Sequence, residues 1–282
     1  MIGQAALDVP AAYLEAAETA GLVHRLGDLP VVAGLHVDAL TGENQCLVEY
    51  ADRALLTDIP GLLDQLFRRF PSCTSTVVRL PADIGPSPYL EPVISYLRFL
   101  PDRSRTAATP SGTALRIALD DGSFDEQVRA WLAQALIVAQ SDRGNAADVD
   151  AVTSAVTGIM SAPARRTWTV HTAGRREPIG HATALIDAFD DVTGTAFVDL
   201  VDILIDDPAQ VRAATAALVD ACAAEAGRLG LPIIGNVCHP STFEGRDPAA
   251  ETITKLCRRG WRPVYRYCSA PRPAGARPAS RD

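Results

Sequence analysis

The chain has 282 residues, 48% of them apolar and 21% charged. This is the composition of an ordinary globular protein, and it excludes a mostly disordered chain, a collagen-like repeat and a small disulfide scaffold. A formal net charge of −8 argues against a generally basic nucleic-acid binder.

No run of 18 or more apolar residues occurs, so no membrane span is expected. No basic start precedes an apolar stretch, so no secretory signal is expected either. Six scattered cysteines show no CxxC pair and no metal-ligand spacing with histidine. They read as reduced thiols in a cytoplasm, with no metal site.

Taken in chain order, the pattern predicts a helix over Ala11 to Ala20 and a strand over Val31 to Val37. A hairpin-like or strand-rich stretch follows over Gln45 to Tyr50 and Arg53 to Thr57. Pro60 opens a helix whose Leu62, Leu63, Leu66, Phe67 and Phe70 share one face. Thr74 to Leu80 is β-branched and strand-like. Tyr89 to Phe99 reads as a second amphipathic helix. Residues 101–112, rich in Pro, Ser, Thr and Gly, mark a linker between a domain at 1–108 and one at 112–268.

Beyond the linker the pattern predicts a strand at Ala114 to Leu119 and a helix at Phe124 to Gln140. A helix at Ala146 to Met160, capped by Asn145, comes next. Strands follow at Thr167 to His171, Gly180 to Ala188 and Thr195 to Ile205. Pro208 starts a helix to about Leu229, with Gly230 at its stop. A buried strand (Leu231 to Val237), a helix (Ala249 to Arg259) and a last strand (Trp261 to Cys268) complete the domain. The tail 269–282 is expected to be disordered. The two halves share an order: Pro60 corresponds to Pro208, Thr74–Leu80 to Leu231–Val237, and Tyr89–Phe99 to Ala249–Arg259.

The second half therefore reads as an α+β domain with a mixed, mostly antiparallel sheet flanked by helices. Three segments carry a resemblance. One is the strand-to-helix junction VDLVDILIDDPAQVRAATAALVDAC at 198–222. Another is the buried strand LPIIGNV, and the third is the ending CRRGWRPVYRY at 257–267. Together they resemble the GNAT superfamily of acyltransferases over about 155 residues. The first half resembles a degenerate partial copy.

The resemblance implies a pyrophosphate loop at the helix start, of pattern Gln/Arg-x-x-Gly-x-Gly/Ala. Gln210, Ala213 and Thr215 stand at those positions, so both glycines are replaced. Helix N–H groups suit a phosphate, and glycine lets the backbone approach it. The implied donor site comprises Ile203, Leu204, Ile205, Gln210, Val211, Arg212, Ala213, Ala214 and Thr215. The implied donor is a pantetheine thioester, either acyl-CoA or one carried on an acyl carrier protein. The worn loop motivates the carrier, which has no adenosine diphosphate to cradle. Arg246, Lys255, Arg258, Arg259, Arg262 and Arg266 form a docking face for an acidic carrier or an ordinary solvated surface. Residues 246–282 hold nine bases and three acids, so the basic charge concentrates there.

The acceptor amine must lose a proton. Asp202 is the first candidate base, against a solvated acid. Asp199, three residues away, is expected on the opposite face. His239 in NVCHP is a base, a substrate contact or a loop histidine with a structural hydrogen bond. His181, Asn236 and Cys238 are candidates for the acceptor side or its support. Cys238 is not expected to be a nucleophile, because direct amine attack needs none. The tyrosine that many GNATs use as general acid is replaced here by Leu256. The expected function is acyl transfer to the amine of a small metabolite, in specialised-metabolite biosynthesis. Neither nucleic acid nor membrane is an expected partner. The rivals are an inactive GNAT-fold binding module and a thioester decarboxylase or hydrolase.

Overall fold

The computed structural model describes residues 9–101, 115–241 and 247–273. Residues 102–112 of the expected linker, Arg246 and the tail from residue 274 onward lie outside them. The elements in chain order are α1 (Ala11–Thr19), β1 (Val23–Leu26), β2 (Leu29–Val37), β3 (Asn44–Ala51), α2 (Ile59–Arg69), β4 (Ser75–Pro81), β5 (Glu91–Phe99) and β6 (Leu115–Leu119). The chain continues through α3 (Asp125–Asp142), α4 (Val149–Ser161), β7 (Arg165–Thr172), β8 (Gly180–Asp190) and β9 (Thr195–Ile205). It ends with α5 (Val211–Leu229), β10 (Ile233–Cys238), α6 (Pro248–Cys257) and β11 (Arg262–Pro271). No helix among the described residues is long and apolar enough to cross a membrane.

Most predicted elements stand within a few residues, and four readings change. Tyr89 to Phe99 is strand β5, not a helix. Its buried residues, Ser95 and Leu97, alternate at the period of a strand, and Val93 and Ile94 favour one. Arg53 to Thr57 is not a strand: Leu55–Thr57 forms a 3-10 turn, with Asp52 accepting the Ala54 N–H at 2.9 Å. The cap of α4 is Asp148 rather than Asn145, accepting from the N–H groups of Asp150 and Ala151. Pro208 precedes α5, which begins at Val211.

The chain forms two compact units. Unit 1 takes residues up to Ser95, Asp190–Thr195 and the chain from Pro263. Unit 2 takes Tyr96–Phe189 and Ala196–Arg262. The last strand thus pairs in unit 1, antiparallel along β4 from Tyr265↔Pro81 to Pro271↔Ser75.

In unit 1 the strand order is β1-β2-β3-β4-β11. The β3–β4 pair is parallel, while β1–β2 and β2–β3 are antiparallel. Helix α2 buries Ile59, Leu62, Leu63, Leu66 and Phe67 against Val31, Val48, Val78 and Leu80. Each such side chain contributes roughly 1.5–3 kcal/mol relative to exposure.

In unit 2 the order is β5-β10-β9-β8-β7-β6. The β6–β7 and β7–β8 pairs are antiparallel and β9–β10 is parallel. Helix α5 packs with Ala214, Ala217, Leu218, Cys222, Ala223 and Ala226 into the core of Val170, Ala182, Ala184, Val198 and Ile233. Its alanines leave little side chain between helix and sheet. Gly230 ends it in the left-handed conformation at φ 71°, a conformation that favours glycine.

The expected match of Tyr89–Phe99 with Ala249–Arg259 fails, since one is a strand and the other a helix. The units instead share a strand–helix–strand with a parallel pair: β3–α2–β4 and β9–α5–β10.

Unit 1 is organised around a buried cation. Arg79, 4% exposed, donates two hydrogen bonds to Asp190 at 2.9 and 2.6 Å and lies 3.7 Å from the Tyr265 ring centre. Glu49 stands 3.6 Å away and accepts the Tyr267 hydroxyl at 2.7 Å. Burial opposes ionisation of Asp190, but the Arg79 bonds and charge overcome it and hold the carboxyl below its usual range. Removing one partner of a buried pair strands the other. Asp190→Asn is expected to lower stability by about 3–5 kcal/mol, read as a drop in urea midpoint. In the native protein this contribution is present above the ordinary carboxylate range and is lost as pH falls through the lowered Asp190 value.

Candidate active site

The site is built where the β9–β10 ladder ends. The parallel pairing runs Ile233↔Val198, Ile234↔Asp199 and Gly235↔Leu200. Both strands continue, to Ile205 and Cys238, without further pairing between them. A wedge therefore opens beside Asp202, Ile203, Leu204 and Ile205 on one strand and Asn236 and Cys238 on the other. On its other side β9 is held close to β8: a Cβ on Gly180 would sit 2.4 Å from the Leu204 carbonyl oxygen. Only glycine allows that approach.

Strand β9 breaks its own alternation. Val198 and Leu200 enter the core under α5, and the partly buried Ile203 and Ile205 pack against it. The parity of the buried residues shifts between Leu200 and Ile203. Asp199 and Asp202 are thereby both turned away from that core, rather than to opposite faces. Burial raises the Asp199 carboxyl to about 6.

On β8, Ala182 and Ala184 face the α5 core, so His181 and Thr183 point the other way. His181 is fully buried. Its ring stacks on Trp131 of α3, with centroids 5.2 Å apart and planes 1° from parallel. The Trp131 indole N–H donates to Asp206 at 2.7 Å, which fixes the tryptophan. His181 Nε2 lies 3.3 Å from Asp202 Oδ2, an oblique contact in which neither atom makes a well-aligned hydrogen bond. That Asp202 oxygen is buried, while the side chain as a whole is 21% exposed. The carboxylate thus has a protected side toward His181 and an accessible remainder.

Cys238 is exposed at the end of β10. Desolvation raises its thiol, with Asp202 and Asp142 adding to the rise and Arg143 opposing it. A raised thiol is a poor nucleophile at neutral pH. Asn236 is half-buried, one residue past the last paired position. His239 is buried, and its Nδ1 pairs with Asp247 Oδ2 at 3.3 Å. The other Asp247 oxygen caps α6 through Ala249 and Ala250. His239 therefore pairs with the carboxylate that caps α6. Ser241 ties the same loop to the α3 end through the Asp142 and Arg143 carbonyls, at 2.9 and 2.7 Å.

Helix α5 starts at Gln210 with no side-chain cap and no acid in its first turn. Val211 and Arg212 are exposed there, while Ala213 and Thr215 are half-buried. Ala214 offers a ligand nothing: its side chain is in the core and its N–H is used by the Gln210 carbonyl. Leu256 packs against the same core.

Arg258, Arg259 and Arg262 are exposed. Lys255 is also exposed and pairs with Glu251 at 3.5 Å. Arg266 leaves the expected docking face, because its guanidinium donates to the Ile84 and Gly85 carbonyls at 2.6 and 2.8 Å.

The sequence reading missed Trp131 and Thr183. A tryptophan at a helix position reads as core, and a threonine on a strand reads as β-propensity. Neither pattern announces a partner.

Solved structures resemble this chain in fold. A GCN5-related N-acetyltransferase from Sphaerobacter thermophilus superposes with a TM-score of 0.51 at 13% identity, over 86% of this chain and 77% of that one. A GCN5-related N-acetyltransferase from Kribbella flavida gives 0.48 at 13% identity, over 95% and 97%. No protein-family model matches the chain, and no curated protein matches it in sequence. The first of these likenesses establishes that the chain has a GNAT-like α+β fold.

The buried Asp199 gives a test of the wedge. Its folded value lies above that of a free carboxyl, so ionising it costs stability as pH rises through about 6. Asp199→Asn is expected to stabilise the protein at pH 8, by as much as about 3 kcal/mol. The same substitution is expected to be nearly neutral below about pH 4, with melting curves at the two pH values as the readout.

Proposed function

We propose that the protein is an N-acyltransferase that moves an acyl group from a pantetheine thioester to the amine of a small molecule. The observation that carries this reading is the end of the parallel β9–β10 ladder at Leu200 and Gly235, with Asp202 beside the opening. A thioester lying in the wedge meets the β9 backbone at Ile203 to Ile205, where N–H groups facing the gap can polarise its carbonyl. The uncapped start of α5 faces the same end of β9 in sequence and offers N–H groups and a positive dipole to a phosphate.

The exposed part of the Asp202 carboxylate takes the proton as the amine attacks the carbonyl carbon. The thiolate then leaves. With Leu256 in the core, no side chain is assigned to protonate the thiolate, and solvent serves.

The donor is acyl-CoA or a carrier-bound pantetheine thioester. Replacement of both loop glycines and exposure of Arg258, Arg259 and Arg262 support an acidic carrier protein. Natural-product biosynthesis is the setting we propose for such a carrier-dependent reaction.

The test is thiol release from acyl-pantetheine, acyl-CoA and acyl-carrier donors, with and without a panel of amines. Amide formation with matching thiol release is expected. Release that ignores the amine marks a hydrolase, and no release marks a binding module; either result overturns the proposal. Asp202→Asn is expected to lower kcat on the order of 10²–10⁴-fold, as for loss of a general base.

A further inference from the structure

A continuous buried polar path leads away from Asp202 through three strands. His181 Nδ1 meets Thr183 Oγ1 at 3.0 Å, and Thr183 Oγ1 meets Thr167 Oγ1 at 3.2 Å. Arg165 Nη1 donates to Thr167 Oγ1 at 3.2 Å, while its Nη2 donates to Asp125 at 2.9 Å. Thr183 is fully buried and Thr167 is 4% exposed. The path ends at the surface, where the Asp125 side chain is 41% exposed.

The direction of each bond follows from Arg165, because a guanidinium only donates. Thr167 must accept at its oxygen, so its own proton is free to go to Thr183. Thr183 then gives its proton to His181 Nδ1. His181 accepts at Nδ1 and carries its proton on Nε2, the atom that faces Asp202 Oδ2. From Arg165 to Nδ1 every bond in this arrangement has one donor and one acceptor, and the Nε2–H faces Asp202 Oδ2 obliquely at 3.3 Å.

The reverse arrangement fails at both ends. If Nδ1 carried the proton, Thr183 would accept it and donate to Thr167. Among the described residues, the Thr167 proton would then have no acceptor, and the bare Nε2 would face the carboxylate lone pairs. Buried polar groups avoid both conditions.

We propose that Arg165, acting through Thr167 and Thr183, is a positioning residue that sets the His181 tautomer and so keeps the buried oxygen of Asp202 facing an N–H. The Nε2–H faces one carboxylate oxygen, and the accessible side of Asp202 stays open to a proton. Trp131 supports this by holding the imidazole plane. The catalytic consequence rests on the reading of Asp202 as the base; the tautomer itself does not.

The experiment is nitrogen-15 NMR of the full-length protein without substrate, at about pH 8, above the ordinary imidazole range. His181→Asn identifies the signal by its loss. The expected spectrum has His181 protonated at Nε2 and bare at Nδ1. Arg165→Met and Thr183→Val are each expected to shift it toward a mixture, and Thr183→Ser to restore it.

A native proton on Nδ1 overturns the proposal, as does a tautomer that Arg165→Met leaves untouched. Arg165 lies at the partly exposed end of the path, so its variant keeps the test open if Thr183→Val does not fold. In the transfer assay Arg165→Met is expected to lower kcat on the order of tenfold, with the donor KM unchanged and Arg165→Lys restoring the rate. Absence of any acyl transfer by the native protein would overturn the proposed function and leave the NMR result to decide the tautomer.

Discussion

The arrangement of unit 2 depends on one ladder that stops. Parallel strands joined by a helix are held together only where their backbones pair, and here that covers three residues on each strand. Gly180 pins β9 to β8 beyond that point. With β9 held on one side and unpaired with β10 on the other, its backbone and Asp202 flank an opening. The parity shift between Leu200 and Ile203 then turns both carboxylates away from the α5 core.

Low exposure shapes the chemistry of these groups in different ways. Among the described residues Asp199 has no charged partner to offset its burial, and its carboxyl rises. Asp202 has His181 beside one oxygen and solvent access elsewhere. His181 is sealed by Trp131, so its hydrogen-bond geometry is set by protein groups. Hydrogen bonds that run from a donor-only guanidinium favour one proton arrangement over its reverse. The Thr183–Thr167–Arg165 path matters for that reason rather than for the strength of any single bond.

Unit 1 shows what the same strand–helix–strand becomes when a buried ion pair stands at the end of the ladder. The β3–β4 ladder also stops early, at Val48 and Val78, and both strands continue. A cavity of about 210 Å³ lies there, lined by Glu49, Tyr50, Leu56, Arg79 and Pro81 among others. Arg79 with its carboxylate and aromatic partners occupies this region. The start of α2 is closed by its own Asp58, which accepts the Gly61 N–H at 3.1 Å. A carboxylate already seated on those N–H groups competes with a phosphate. The start of α5 carries no such side-chain cap.

Sequence alone determined most elements, because apolar period and turn residues are local: Leu62, Leu63, Leu66 and Phe67 announce α2, and Gly230 ends α5. It also brought Asp202, Asn236 and Cys238 into view, since they follow the paired stretch of two predictable strands. It misread Tyr89 to Phe99, where proline and leucine mimic a helix start and burial in a sheet decides the outcome. It placed Asp199 opposite Asp202, because a break in alternation leaves no mark in residue types. Only the tertiary structure assigned the last strand to unit 1 and paired His239 with the Asp247 cap. The same holds for the stacking of Trp131 on His181 and the path from Arg165 to Asp202. Those contacts join residues far apart in the chain, and their geometry is decided by packing rather than by local pattern.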